Sequence, residues 1–214
     1  MIVDDFLTSL AALPASPTRE SYLSFVRAGG VDAFKRDGAP EHVTASCFVF
    51  SPDCEHVLLC FHRKGQFWVQ FGGHVELQDA SIADAALREA REESGIPELT
   101  LRSDAIVDLD RHELHGGFAC AAHWDVGFVA LAAADTHFAA SDESEDVRWF
   151  SVHSLPSEVP ENFPARIAAV LAGFAPHESA TILPRRRPRG EVPPCDNAPN
   201  ESPTRRGGHR QVIL

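Results

Sequence analysis

Three glutamates with the spacing of a cation site follow a pair of glycines in the stretch GGHVELQDASIADAALREAREESGI (72–96). Glu89, Glu92 and Glu93 lie within five residues, and like charges so close on a helix repel one another. A hard divalent cation removes that repulsion, and oxygen ligands favour Mg²⁺, with Mn²⁺ as an alternative. Gly72 and Gly73 let the backbone approach a bound group and free a carbonyl for coordination. The spacing therefore indicates a metal site, and an acidic helix face solvated by water is the simpler alternative.

The glutamates belong to a predicted helix at about residues 81–94. Ser81 is placed to cap its N-terminus, and Gly95 is typical of a helix C-terminus. Arg88 lies four residues before Glu92 and can brace its carboxylate. The apolar positions recur at helical spacing and are mostly alanine: Ala83, Ala86, Leu87 and Ala90. We therefore predict that one face of the helix packs closely against a sheet while the adjoining face presents carboxylates.

Strand patterns lie on both sides of this helix in the chain. Short β-branched and aromatic runs occur at 42–50, 56–63, 67–71, 104–114, 123–132 and 147–152. An amphipathic helix is predicted at 162–174. Because strands and helices do not alternate regularly, the order favours an α/β/α sandwich around a mixed β-sheet over a doubly wound fold.

Composition divides the 214-residue chain into three parts. Residues 1–37 carry two helical patterns and form a predicted N-terminal helical arm. Residues 38–176 form the predicted main domain. Residues 177–214 are rich in proline, arginine, glycine and serine, and such a segment buries too little apolar surface to fold. We therefore predict a disordered basic tail, and for its PRRRPR run we favour solvation over binding of lipid or nucleic acid.

The charge of the chain limits its partners. The formal charge is −12, and the tail holds seven arginines against four acids, which leaves −15 for the rest. So acidic a body is not typical of a nucleic-acid-binding surface, and a phosphate substrate would need cations to mediate its contact. The sequence has no run of about 18 apolar residues, so we expect no membrane span.

Cysteine usage and the N-terminus point to a reducing compartment. The five cysteines have no CxxC spacing, which argues against a disulfide framework and against a zinc site built from thiolates. The N-terminal sequence MIVDDFLTSLAALP is acidic where a secretory signal would be basic. We therefore expect a cytoplasmic protein, in which Cys47 and Cys60 are small buried side chains of strands.

The glycine and carboxylate pattern resembles the signature of the Nudix hydrolase family. That signature is a glycine, five residues, an acid and a spacer, followed by Arg-Glu-apolar-x-Glu-Glu-x-Gly-apolar. Its second half matches at every fixed position, with Arg88, Glu89, Ala90, Glu92, Glu93, Gly95 and Ile96. The first half, from Gly73, departs twice, because the acid is Asp79 instead of glutamate and the spacer has eight residues instead of seven. A helix that starts at Ser81 absorbs the extra residue and keeps the glutamates in register, but Asp79 is left without an assigned role. With its strand order, the resemblance covers roughly residues 42–174.

The resemblance implies a pyrophosphohydrolase that cleaves the diphosphate bond of a nucleoside diphosphate linked to another group X, with Mg²⁺ activating water. It implies that Glu92, Glu93 and the Gly73 carbonyl bind metal. Glu89 is implied as a further ligand or as the residue that orients the water, and Arg88 as a brace of this catalytic group. The implied partners are a small nucleoside diphosphate derivative and a second copy in a homodimer.

Other candidate residues lie outside the signature. Many such enzymes take a further acid from a loop after the helix, which makes Glu143 or Glu145 the candidate general base. Residues near the glycines could contact phosphate and base by charge and stacking, namely Arg63, Lys64, Phe67 and Trp68, although a place in the core explains Trp68 equally well. Gly72 is a further candidate for contact with the substrate. A second metal site is a further hypothesis, although no spacing motif defines it. Its candidate ligands lie on either side of a predicted hairpin turn and are His112, His115 and His123.

Two other functions are compatible with the same resemblance. A Nudix-like sensor would bind a nucleotide or nucleotide sugar without turning it over, although a pure binder has no need of three helix carboxylates. Isoprenoid diphosphate isomerase chemistry, which some relatives of this fold perform, has no supporting residues here and ranks last. Neither a hydrolase triad motif nor a phosphate-binding GxxxxGK occurs in the sequence.

Overall fold

The computed structural model of the protein describes residues 2–37, 39–76, 78–114, 120–140 and 144–174. The predicted basic tail, 177–214, lies outside these residues. The helices are α1 (Ile2–Ala12), α2 (Pro17–Gly29), α3 (Ile82–Ser94) and α4 (Phe163–Phe174), and a 3₁₀ turn, Gly30–Phe34, follows α2. The strands are β1 (Glu41–Phe50), β2 (His56–His62), β3 (Phe67–Val69), β4 (Phe71–His74), β5 (Asp108–Glu113), β6 (Ala122–Leu131) and β7 (Ser144–Ser151).

The strands form one mixed sheet in the order β3-β2-β1-β6-β5, with β4 paired to β1 and β7 paired to β2. Strand β1 runs parallel to β6 over its whole length, and the other pairs are antiparallel. Strands β4 and β2 share one edge of β1, because β4 pairs with Thr44–Cys47 and β2 with Val49 and Phe50. The sheet is therefore branched and mixed, which confirms the predicted fold class.

Helices cover both faces of the sheet. Because successive side chains of a strand point to opposite faces, β1 contributes to two separate layers of the core. Val43 and Ala45 pack with alanines of α3, and of its predicted apolar stripe Ala83, Ala86 and Ala90 are buried while Leu87 is partly buried. On the other face, Phe48 and Phe50 pack with Phe163 and Ile167, and the last two belong to α4. Helix α3 is thus fixed against one face, immediately beside β4.

Both helical patterns predicted within residues 1–37 form helices, and these helices share a core with the sheet. Phe6, Leu10 and Tyr22 are fully buried in the same hydrophobic cluster as Val43. The Tyr22 hydroxyl donates a hydrogen bond of 2.6 Å to the main-chain carbonyl of Asp125 on β6. Helices α1 and α2 therefore extend the layer formed by α3.

Thiol labelling should separate the cysteines by burial. Cys47 and Cys60 are buried, and burial raises the pKa of Cys47 to about 12 and raises that of Cys60 as well. Because only the thiolate is nucleophilic, we expect iodoacetamide to leave both unlabelled in the native protein at about pH 8. Peptide mass spectrometry would check this, with the partly exposed Cys54 as an internal control. Labelling of Cys47 as fast as that of Cys54 in the native protein, before addition of urea, would contradict the prediction.

Candidate active site

Local signals place helix α3 so that its carboxylates face the end of β4. The Ser81 hydroxyl accepts a hydrogen bond from the Asp84 N–H, which caps the first turn. Gly95 ends the helix in the left-handed conformation, with φ of 66°, and its N–H donates to the Arg91 carbonyl. The predicted start and end of the helix are therefore correct, and of the eight-residue spacer only Ala80 and the cap Ser81 precede the helix.

Arg88 ties this helix to the preceding turn. Its Nε and Nη2 donate to the two carboxylate oxygens of Asp79 at 3.0 and 2.9 Å. Nη2 also donates to the His74 carbonyl at the end of β4, at 2.9 Å. The hydrogen bonds with Asp79 are the main cause of a raised pKa of Arg88, so the guanidinium stays charged. Asp79 is thus the partner that orients Arg88, a role that was not assigned from the sequence. The signal that could have revealed this role is the spacing of Asp79 from Gly73, which matches the family signature.

The other side of the same guanidinium holds two of the predicted catalytic glutamates. Nη1 of Arg88 donates to Glu89 Oε1 at 2.8 Å and to Glu92 Oε2 at 3.3 Å. A third carboxylate, that of Glu76, lies 3.9 Å from Nη1. With Asp79, four carboxylates therefore surround one guanidinium, and the group keeps a negative excess that favours binding of cations.

The two glycines bring β4 into direct contact with these carboxylates. A Cβ at Gly73 would lie only 2.6 Å from the carboxylate carbon of Glu89, so no side chain fits there without moving Glu89. The N–H of Gly72 donates to Glu93 Oε2 at 2.8 Å, and Glu93 is 5% exposed. The structure thus brings Gly72, Gly73, Glu89 and Glu93 together, with Glu93 held inward.

The donor set fits a hard divalent cation. Glu89 and Glu92 share one nitrogen of Arg88, and the Glu89 side chain is 14% exposed while that of Glu92 is 61% exposed. An ion from solvent can therefore reach this pair of carboxylates. Oxygen ligands in a group of excess negative charge suit Mg²⁺ or Mn²⁺. Which of these atoms bind a cation stays a prediction.

The remaining predicted site residues are more scattered. Arg63 and Lys64 are exposed in the turn between β2 and β3. Glu145, on β7, is exposed and accepts a hydrogen bond from Gln66 at 3.2 Å. Glu143 lies outside the described residues. Trp68 is 8% exposed and packs edge to face against Phe61 and Phe150. This packing in the core accounts for an aromatic residue at this position without a role in binding the substrate. The substrate and base roles of these residues stay predictions.

A second group of metal-ligand residues lies at the end of the sheet, and we call it the histidine–cysteine cluster: His42, His74, Cys120 and His123. Their ligand atoms all lie within 4.8 Å of one another. It shares only His123 with the histidine set predicted from the sequence, because His115 lies outside the described residues and His112 binds Asp110 at 3.0 Å. The sequence could not reveal the group, because His42 meets His123 only through the parallel pairing of β1 with β6.

The cluster contains polar atoms that lack a partner. Nε2 of each of the three histidines is buried and has no hydrogen-bond partner among the described residues. Leaving such an atom unsatisfied costs about 1–3 kcal/mol. Burial is also the main cause of a lowered pKa of His123, to about 3, and of His74, to about 4, so these rings are neutral at physiological pH.

Comparison with known proteins agrees with this fold. The sequence model of the NUDIX domain family matches residues 40–174. The search of solved structures finds a NUDIX-family hydrolase from Clostridium perfringens, with 22% identity, a TM-score of 0.51 and coverage of 60% of this chain and 95% of that one. It also finds an Ap4A hydrolase from C. elegans (20% identity, TM-score 0.51, coverage 62% and 98%) and a MutT protein from Methanosarcina mazei Go1 (20%, 0.51, 64% and 98%).

At these identities the solved structures support the fold alone. No curated protein matches the sequence. Of the helices that the structure describes, none has both the length and the apolar character needed to cross a membrane. The family match spans more than half of the chain and coincides with the sheet, α3 and α4, so the chain belongs to the Nudix hydrolase family.

Proposed function

We propose that the protein is a metal-dependent pyrophosphohydrolase that cleaves the diphosphate bond of a nucleoside diphosphate linked to another group X. The observation that carries the proposal is the shared contact of Glu89 and Glu92 with Arg88, beside a glycine that leaves room for the Glu89 carboxylate. A protein that only binds a nucleotide has no need of so costly a concentration of carboxylates. The family supports hydrolysis as the reaction.

The residues of the chain divide into positioning and reacting groups. Asp79 holds Arg88, and Arg88 in turn fixes Oε1 of Glu89, so that this carboxylate is oriented before substrate arrives. Glu89 would accept the proton of the attacking water. Glu92 and Glu93, with the Gly73 carbonyl, would hold Mg²⁺ or Mn²⁺. Bound there, the cation would neutralise the diphosphate and lower the pKa of the water.

The substrate is expected to be a small nucleotide derivative. Because the body of the protein is acidic, a metal cation is needed for it to bind a phosphate group. Two exposed basic side chains, Arg63 and Lys64, lie close in sequence to β4 and could contact the outer phosphate of the substrate. One fold neighbour is named as an Ap4A hydrolase, which makes dinucleoside polyphosphates one class to test. The other classes are deoxynucleoside triphosphates and nucleoside diphosphate sugars.

The experiment is release of phosphate and nucleotide from this panel with Mg²⁺, comparing wild type with Glu92→Gln. Glutamine keeps the size of the side chain but removes the charge, and Glu92 is 61% exposed, so the fold should survive. We expect hydrolysis to need the metal and to fall at least about a hundredfold, roughly 2.7 kcal/mol of transition-state stabilisation.

Glu98→Gln is the matched control, since Glu98 is an exposed glutamate six residues further along the chain. We expect its activity to equal that of wild type. Hydrolysis that survives in Glu92→Gln, or that needs no metal, would overturn the proposed mechanism. If wild type cleaves nothing but binds one of the compounds tightly, the sensor function replaces the hydrolase.

A further inference from the structure

The histidine–cysteine cluster is built from three strands that meet at one end of the sheet. His42 lies on β1, opposite His123 on β6. His74 is the last residue of β4 and pairs with Thr44, which lies two residues after His42 on β1. The three imidazole rings form a near-equilateral triangle, with centroid separations of 5.0, 5.2 and 5.3 Å. Cys120 lies just before β6 and contributes the fourth ligand atom. The three histidines therefore converge through strand pairing.

The cluster is separate from the carboxylates of α3. The missing Cβ of Gly73 faces Glu89, and the next residue of an extended strand points to the opposite face. His74 therefore projects away from α3, toward His42 and His123. The two groups lie back to back across β4, and they differ in chemistry, since one offers only oxygen atoms and the other nitrogen and sulfur.

The imidazole nitrogens that would bind the metal have no partner among the described residues. Nε2 of His42, His74 and His123 is buried and has no hydrogen-bond partner in the described part of the chain, and His42 is completely inaccessible to solvent. Nδ1 of His42 lies 3.5 Å from the Ala39 carbonyl. A carbonyl only accepts, so a hydrogen bond here requires the proton on Nδ1 and leaves the lone pair on Nε2. Histidines that bind metal are typically oriented by such a bond.

We propose that the histidine–cysteine cluster binds one Zn²⁺ ion through Nε2 of His42, His74 and His123 and the thiolate of Cys120. Three imidazoles and a thiolate fill the four tetrahedral positions that zinc prefers, which leaves none for water and indicates a structural site. Mg²⁺ is disfavoured because it prefers oxygen ligands.

The geometry needs only a small contraction. In a tetrahedral zinc site with bonds of about 2.0–2.3 Å, ligand atoms lie about 3.3–3.8 Å apart. One ligand atom from each of the four side chains lies within 4.8 Å of the others, so side-chain rotations that shorten the largest separation by about 1 Å would reach this range. On binding, the Cys120 thiol loses its proton to solvent while the neutral imidazoles lose none.

Bound zinc would tie β1, β4 and β6 together at their common end. His74 follows Gly73 directly, so the ion would also fix the part of β4 that contacts Glu89. We therefore expect the metal to stabilise the fold, with an indirect effect on any reaction at α3.

The test is direct titration of the full chain with Zn²⁺. The protein is reduced with a phosphine, stripped with a chelator and titrated in millimolar Mg²⁺, which keeps the carboxylates of α3 occupied. We expect one equivalent to bind, to raise the melting temperature and to protect Cys120 from alkylation. Co²⁺ in its place should give the visible absorption of a tetrahedral site and a thiolate charge-transfer band.

The decisive variant is Cys120→Ser, because Cys120 is partly exposed before β6 and a hydroxyl in its place should leave the apo fold intact. We expect it to lose the charge-transfer band and to bind Zn²⁺ at least about a hundredfold more weakly. Cys54→Ser replaces another partly exposed cysteine and should bind as wild type does. His123→Asn, with circular dichroism to confirm folding, should weaken binding as well.

Two results would overturn the proposal. The first is wild-type protein that binds no zinc after reduction and stripping. The second is zinc binding that Cys120→Ser and His123→Asn leave unchanged while Glu92→Gln abolishes it, since the ion would then occupy the carboxylates. Neither readout depends on turnover, so the zinc site and the proposed hydrolase activity can fail separately.

Discussion

Replacing Arg166 by methionine is expected to destabilise the protein by about 3–5 kcal/mol, the range for removal of one partner of a buried ion pair. Arg166 projects from α4, and its side chain is 10% exposed. Its guanidinium contacts three carboxylates, those of Asp108 at 2.6 Å, Asp110 at 3.1 Å and Asp125 at 3.3 Å. Without it, three negative charges would face one another beside the sheet.

The remaining partners of Asp125 do not replace the lost charge. Asp125 also accepts hydrogen bonds from Thr44, Ser46 and Gln70, which are neutral donors. Burial already raises the pKa of Asp108, and Arg166 partly offsets this effect. Removal of the guanidinium should therefore raise the pKa of Asp108 further.

The sign of the pH dependence follows from that shift. A carboxyl whose pKa is higher in the folded than in the unfolded state binds more protons when folded, so stability falls as pH rises. The deficit of Arg166→Met should therefore be largest near neutral pH and shrink as pH falls toward about 5. Urea unfolding of both proteins at the two pH values measures it.

Arg148→Met is the matched control. The Arg148 side chain is 63% exposed, pairs with Asp146 and lies over the Trp68 ring at 5.5 Å from its centroid. Its loss should cost less than about 1 kcal/mol at either pH. If Arg166→Met is no less stable than Arg148→Met, or loses further stability as pH falls, then the three carboxylates do not depend on Arg166 for charge compensation.

Much of the helix and its contacts could be predicted from the sequence because the signals are local. Ser81 and Gly95 cap α3 through atoms a few residues away, and Arg88 reaches Glu92 within one turn. The glycine-to-helix contact also follows from spacing. Asp79 was left without a role because its spacing to Arg88 is one residue longer than in the family pattern, yet its ion pair with Arg88 forms.

Other features depend on pairings between distant segments, which the sequence does not contain. The alignment of His42 with His123 needs the parallel register of β1 and β6. The assembly of three aspartates around Arg166 needs α4 to pack on the face that carries Asp125. Trp68 is a similar case, since an aromatic residue beside exposed cations suggests a ligand site until its packing against Phe61 and Phe150 is known.

Substitution of the two adjacent glycines is expected to separate activity from stability. A Cβ at Gly73 would meet the Glu89 carboxylate at 2.6–2.7 Å, and that carboxylate is the far end of a flexible side chain that can rotate away. Gly73→Ala should therefore fold with little change in stability, but with Glu89 displaced from its position beside Arg88. Because a displacement of about 1 Å can cost a hundredfold in rate, we expect kcat to fall about a hundredfold or more.

A Cβ at Gly72 meets main-chain atoms instead, with the Ala45 carbonyl oxygen at 2.7 Å and the Ser46 Cα at 2.8 Å. The backbone of β1 is fixed by its pairing with β4 and β6, so it cannot give way as a side chain does. We expect Gly72→Ala to lose about 2 kcal/mol or more of unfolding free energy. Urea unfolding and kcat, measured on both variants, test the distinction. Full activity in Gly73→Ala would show that hydrolysis does not need the Glu89 carboxylate at this position, whereas an equal loss of stability in both variants would show that Glu89 is held as rigidly as the strand itself.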